Sequence, residues 1–186
     1  MADGFVGSAV IDRAGTGVTG YTYIDLNVAA TCSGKLYKVD YWARAVAGAA
    51  TFTVKVFRDD GTNYKYIGGE VFTGGIVGFK TFTFVNPISI LKGDYIAVYT
   101  PPSGGANYAV VEVTTDAGSG ARYNADVTSD IAKASWSAGT YTLSLYGYIR
   151  PPSRGFSGGQ PWIFLKDMWE KHDRLWIPKL SEGYSY

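Results

Sequence analysis

Apolar and polar residues alternate with a period of two along most of residues 5–149, the spacing of a strand that buries one face. Tyr37, Val39, Tyr41, Ala43 and Ala45 form an apolar row, with Lys38, Asp40 and Arg44 on the other side; Phe52, Val54 and Val56 repeat the pattern against Thr51, Thr53 and Lys55. The same rhythm predicts strands over residues 18–28, 64–67 with 70–72, 79–85, 94–100, 107–114 and 141–149. Some eight or nine short strands at regular spacing predict an all-β fold, an antiparallel β-sandwich, for residues 1–150. Turn chemistry separates them: Asp59-Asp60-Gly61-Thr62-Asn63 suits a hairpin, and Asn86-Pro87, Lys92-Gly93-Asp94, Pro101-Pro102-Ser103-Gly104-Gly105 and Gly118-Ser119-Gly120 break the other runs. Residues 124–137 have weak strand propensity and read as a long loop.

The pattern changes after Arg150. Pro151-Pro152-Ser153-Arg154-Gly155 and Ser157-Gly158-Gly159-Gln160 read as a linker, and Pro161 suits the first turn of a helix that Pro178 ends. At about 100° per residue, Trp162, Phe164, Leu165, Met168, Trp169, His172, Leu175 and Trp176 share one arc, opposite Lys166, Asp167, Glu170, Lys171, Asp173 and Arg174. Residues 151–186 are therefore expected to form a linker and a C-terminal docking arm with a short amphipathic helix. Trp162, Leu165, Met168, Trp169, His172 and Trp176 are its expected partner-binding residues. The arm holds three of the five tryptophans and the single histidine. Two dockings compete: in cis, over its own sandwich, or in trans, against another subunit or protein.

Charge narrows the partner. Residues 1–150 carry 12 Lys/Arg and 12 Asp/Glu, and the arm carries 5 and 4, for a net +1. A protein that neutralises many phosphates needs a basic excess, so nucleic acid is not expected as a ligand. An arm face with as many acidic as basic residues suits a protein groove better than an anionic membrane. The one cysteine, Cys32, excludes an intrachain disulfide, and the N-terminal residues show neither the basic region nor the apolar run of a signal peptide. Synthesis in the cytoplasm is expected.

Candidate chemistry is sparse. Gly15-Thr16-Gly17-Val18-Thr19-Gly20 matches a dinucleotide fingerprint, but a strand pattern follows it where that motif needs a helix. Gly155-Phe156-Ser157-Gly158-Gly159 followed by Asp167 and His172 imitates a hydrolase elbow and triad outside the α/β sheet that the elbow requires. No catalytic residues are assigned and no enzyme activity or cofactor is expected. Asp59 and Asp60 with Asn63, and Asp126 and Asp130 with Asn124, are loop oxygens of a kind that binds calcium; they lack EF-hand spacing and also suit plain turns. Tyr21 and Tyr23 beside Asp25 and Asn27, and Trp42 beside Asp40 and Arg44, could stack on sugars, so these three aromatics are the glycan-binding candidates; a covered Trp42 is the competing reading.

The order of strand, Arg58-Asp59-Asp60-Gly61 turn, strand, strand over 79–85 and then Ile88-Ser89-Ile90-Leu91-Lys92-Gly93-Asp94-Tyr95-Ile96 resembles jelly-roll sandwiches of the galactose-binding type. It is similar too to modules in phage head and tail proteins. The resemblance spans residues 18–149 and carries no binding residue across. Together with the missing secretion signal, the few reactive groups and the docking arm, the sandwich leads to the expectation of a non-enzymatic structural protein of a bacteriophage virion, in capsid decoration, neck, tail or fibre, whose partners are other virion subunits or itself as a homo-oligomer. The alternative expectation is a carbohydrate-binding module that adheres to surface glycans.

Overall fold

The computed structural model describes residues 3–13, 17–47, 50–73, 77–102, 108–115 and 120–152. The linker and arm beyond Pro152, with all six expected partner-binding residues, lie outside the described residues, as do Gly15 and Thr16 of the glycine fingerprint.

Fourteen strands and one 3₁₀ turn make up the described body: β1 (Gly4–Gly7), β2 (Gly17–Val18), β3 (Thr22–Asp25), β4 (Gly34–Ala47), β5 (Thr51–Asp59), β6 (Asn63–Thr73), β7 (Gly78–Ile90), β8 (Tyr95–Tyr99), β9 (Tyr108–Thr115), β10 (Ala121–Asn124), β11 (Ile131–Ala132), β12 (Ser137–Gly139), β13 (Tyr141–Leu143) and β14 (Leu145–Arg150), with the turn at Lys133–Ser135 between β11 and β12. They form two wholly antiparallel sheets of seven strands each, the all-β sandwich that the alternation predicts.

The long β4 is the axis of the first sheet. Along one side it pairs with β7; along the other it pairs first with β14 and then, from Ala43 onward, with β9. β1 flanks β14, while β13 and β2 pair with β9. The second sheet runs β11-β6-β5-β8-β3-β10-β12. Apart from the β5–β6 hairpin, strand order departs from chain order, and sequence neighbours such as β12 and β13 belong to different sheets.

Between the sheets lies one apolar core. Val6, Leu36, Val39, Tyr41, Phe52, Val54, Val56, Phe72, Ile96, Val98, Val113, Leu143, Leu145 and Ile149 are among its buried members. Phe52 is its hub, with its ring 4.3 Å from Tyr41, 5.3 Å from Phe82 and 5.5 Å from Phe72. Gly147 shows how tightly the sheets meet: a Cβ there would lie 2.6 Å from Leu36 Cδ1 and 2.9 Å from Val6 Cγ1, so only glycine fits.

A second apolar layer was not legible in the alternation. Ile24, Phe57, Tyr64 and Ala97 lie on the outer side of the second sheet, where Val127 and Trp136 cover them. Residues 124–137, expected as a plain loop, run across this face as a strap that includes β11 and the 3₁₀ turn. Trp136 meets Phe57 and Tyr64 edge-on at 5.5 and 5.7 Å. The strap explains why all four residues of β3 are buried, on both faces of the strand.

The Lys-Gly-Asp-Tyr-Ile step is a tight turn from β7 into β8. Gly93 takes a positive φ of 94°, open to glycine without cost. Asp94 then accepts the Leu91 N–H at 2.8 Å and a two-pronged bond from Arg58, with Nε at 2.8 Å and Nη2 at 2.9 Å. Its backbone carbonyl accepts the Ala30 N–H at 2.7 Å. The fork-to-carboxylate geometry raises the Arg58 pKa, chiefly through the hydrogen bond to Asp94.

Candidate binding face

The outer side of the first sheet carries a row of aromatic rings, where the second sheet carries the strap. Because Val39, Tyr41 and Ala43 turn into the core, Lys38, Asp40, Trp42 and Arg44 turn outward, as the alternation predicts. On β14 the same rule buries Leu145 and Ile149 and turns Tyr146 and Tyr148 outward. Register then assembles the face: Lys38 lies opposite Tyr148 and Thr83, Asp40 opposite Tyr146 and Thr81, and Trp42 opposite Phe79.

Asp40 is the centre of this arrangement. Its Oδ2 accepts the Tyr148 hydroxyl at 2.5 Å and its Oδ1 accepts the Thr81 hydroxyl at 2.6 Å, so both carboxylate oxygens are engaged. The hydrogen bond to this carboxylate, followed by desolvation, pushes the Tyr148 phenol up to about 12. Lys38 Nζ sits 3.6 Å from the Tyr148 ring centroid, within cation–π range. Tyr146 meets Tyr148 edge-on at 5.0 Å, and Phe5 stacks on Tyr146 at 5.5 Å. Phe5 and Phe79 are exposed, and Trp42 is half-buried. The face therefore offers flat apolar rings with hydroxyl and ammonium groups between them, a surface suited to stacking and hydrogen bonding.

Tyr37 leaves the row in which the alternation placed it. β4 carries an irregularity between Leu36 and Lys38 against both neighbours, which releases Tyr37 from the inward row. Its ring lies 4.4 Å from the Arg150 guanidinium, and its hydroxyl donates to Asp3 Oδ2 at 2.8 Å.

The other two glycan candidates part company. Tyr21 is 45% exposed, but Tyr23 is only 6% exposed and belongs to the core. Tyr23 stacks on Tyr123 at 5.5 Å and meets Tyr141 edge-on at 6.0 Å, so the tyrosines plug one side of the sandwich. Burial, then the neighbouring phenols, raises the Tyr23 pKa to about 12. Asp25, expected beside them on an open face, is fully buried and accepts the Ser8 N–H at 3.1 Å and the Asn27 N–H at 2.9 Å. Desolvation raises its pKa despite those bonds. Tyr23 and Asp25 thus have no surface to offer a sugar; Tyr21 and Trp42 keep one.

The calcium candidates form no oxygen cage among the described residues. Asp59 accepts the Gly61 N–H at 2.7 Å and pairs with Lys133, while Asp60 accepts the Thr62 and Asn63 N–H groups at 2.9 and 2.6 Å. Asp126 pairs with Lys55, and Asp130 accepts the Tyr66 N–H at 3.0 Å. Each carboxylate has its own amide or lysine partner. Among the described residues no group of three or more His, Cys, Asp or Glu side chains is placed to hold a metal.

Lys55, expected on a polar outer row, is buried beneath the strap. Its ammonium donates to Thr22 Oγ1 at 3.3 Å, to the Val127 carbonyl at 2.7 Å and to the Asp126 carboxylate, filling its three donor positions. Glu112 is a second buried charge, accepting the Arg13 N–H at 2.7 Å and facing Arg44 Nη1 at 3.5 Å.

Of this face only Trp42 is among the residues expected from the sequence; Phe5, Phe79, Tyr146 and Tyr148 join it through strand register. The alternation of Tyr146 and Tyr148 with Leu145, Gly147 and Ile149 was the available signal. No family model, no curated protein and no solved structure matches the chain.

Proposed function

We propose that the protein is a non-enzymatic structural and interaction module, a component of a bacteriophage particle that attaches through residues 151–186. The observation that carries this reading is the self-sufficiency of the body. Residues between Val6 and Ile149 fill the space between the sheets and cover the outer side of the second sheet. In this reading the arm residues Trp162, Leu165, Met168, Trp169, His172 and Trp176 serve a partner, since large aromatics on one helical face dominate buried interfaces. The jelly-roll likeness of the strand-turn order and the helix over residues 161–178 belong to this proposal. So do the cytoplasmic synthesis and the position as decoration, neck, tail or fibre component.

The test is co-sedimentation of the full-length chain with particles from producing cells on a density gradient. The wild-type chain is expected in the particle band, and the Trp169→Ala chain at the top of the gradient. A wild-type chain found only as free protein overturns the reading.

A second reading, adhesion to surface glycans, is favoured by the aromatic face around Asp40. Trp42, Phe79 and Phe5 supply rings for sugar stacking, and Lys38, Thr81 and Tyr148 supply polar groups beside them. Glycan arrays with wild-type and Trp42→Ala chains test it. Equal binding by the two chains, or none by either, removes Trp42 from any sugar site.

A further inference from the structure

β7 is a 13-residue strand, and among the described residues β4 is the only strand hydrogen-bonded to it. Its outer edge runs beside β6, the neighbouring strand of the other sheet. Large exposed apolar residues stand along the strand: Val77 at the entry to β7 is 60% exposed, Phe79 is 50% and Val85 is 83%. From Val77 to Asn86 the only charged residue is Lys80, and there is no proline. A long, nearly uncharged, β-prone edge with exposed apolar side chains is the surface that sheet proteins ordinarily blunt or pair.

The far end of this edge is built rather than frayed. Between Thr83 and Ile88 β7 bulges: Thr83 pairs with Lys38 and Ile88 with Leu36, so four residues oppose Tyr37 alone. Phe84 turns inward onto Phe72 with rings 5.0 Å apart. The Glu70 carboxylate accepts the Val85 N–H at 2.8 Å and the Asn86 N–H at 2.9 Å. Backbone pairing along the edge therefore ends at Phe84, and Val85 is held at the apex of a clasped bulge as a preorganised apolar knob.

We propose that this edge pairs with the same edge of a second copy, antiparallel across a two-fold axis through Phe82, so that the first sheets of two protomers become one continuous sheet. The choice of a second copy rests on self-complementarity. An axis at Phe82 sets Thr81 opposite Thr83 and Phe79 opposite Val85, joins exposed apolar to exposed apolar, and sets no charged residue against its like. A net charge of +1 adds little repulsion between copies. The dimer deepens the particle reading, since a particle component must meet copies or neighbours, and rests on that reading for its purpose only.

The experiment uses the full-length chain in a Cys32→Ser background. Thr81→Cys and Thr83→Cys chains are oxidised separately and as a mixture, and sedimentation is followed over a range of concentrations for the parent, Val85→Glu, Glu70→Ala and Trp169→Ala chains. Residues opposite each other lie within disulfide reach, so the mixture is expected to cross-link while each chain alone cross-links far less. Val85→Glu is expected to weaken dimerisation about tenfold or more, at unchanged melting temperature, as a charge replaces a buried contact. Glu70→Ala is expected to weaken it less, by loosening the bulge, and Trp169→Ala to leave it intact. A monomer at all concentrations overturns the proposal, as does a dimer that survives Val85→Glu or disappears with Trp169→Ala. A chain that enters particles yet never dimerises overturns this pairing alone; one that dimerises through β7 yet never enters particles overturns the particle reading alone.

Discussion

Lys55 Nζ donates to the carbonyl oxygen of Val127 at 2.7 Å across 72 residues of chain. Lys55 also pairs with Asp126, and Thr22 Oγ1, a further acceptor of the ammonium, itself accepts the Val127 N–H at 3.1 Å. One ammonium thus joins β5, β3 and the strap, and this polar plug lies beside an otherwise apolar contact of Val127 and Trp136 on the sheet.

Lys55→Met is expected to destabilise the chain by about 2–3 kcal/mol. Removing one partner of a buried ion pair costs roughly 3–5 kcal/mol, and Asp126 is half-exposed, so water recovers part of that loss. Urea unfolding measures it. A neutral substitution would show that the strap is held by its apolar contacts alone.

Trp136→Ala is expected to cost about 3–5 kcal/mol, the usual penalty for removing a large buried aromatic. The strap should loosen first, because Trp136 is its largest anchor on Phe57 and Tyr64. Hydrogen exchange would then speed up over residues 124–137 before it does so over β4. Uniform acceleration across the chain would mean that the strap and the sandwich unfold as one unit.

The turn at Asp60 should respond to acid. Its carboxyl is held down to about 2, first by the Asn63 N–H and then by the Thr62 N–H, the Asn63 amide and Lys65, against an ordinary value of 3.8. A folded pKa below the unfolded one gives stability that is present above about pH 4 and lost as pH falls towards 2. Asp60→Asn should therefore melt below the wild type at pH 7 and level with it near pH 2. A gap of constant size across that range would show that the charge contributes nothing.

Trp42→Ala should change stability by about 1 kcal/mol or less, because the side chain is half-buried on an outer face and its loss opens no internal cavity. Phe52→Ala, at the hub of the core, should cost about 3–5 kcal/mol in the same thermal melts. Comparable losses for the two would place Trp42 under a cover.

The two faces of each strand were legible in the chain itself, since a period of two assigns Val39, Tyr41 and Ala43 to one side and Asp40 and Trp42 to the other without reference to distant residues. The hairpin at Asp59-Asp60-Gly61 and the turn at Lys92-Gly93-Asp94 were equally local, because both depend on side chains and φ angles within a few residues. Tertiary structure decided which outer face would be covered. Alternation gives Lys55 and Trp42 the same outward sense, yet the strap buries Lys55 and leaves Trp42 half-open. It likewise cannot tell Tyr21 from Tyr23, because Tyr123 and Tyr141 close over Tyr23 from strands about a hundred residues or more away. A one-residue irregularity in β4 moved Tyr37 out of its row. Side-chain direction follows from the geometry of one strand, whereas burial depends on the cover that a remote segment brings, and a remote segment's docking leaves no period in the sequence.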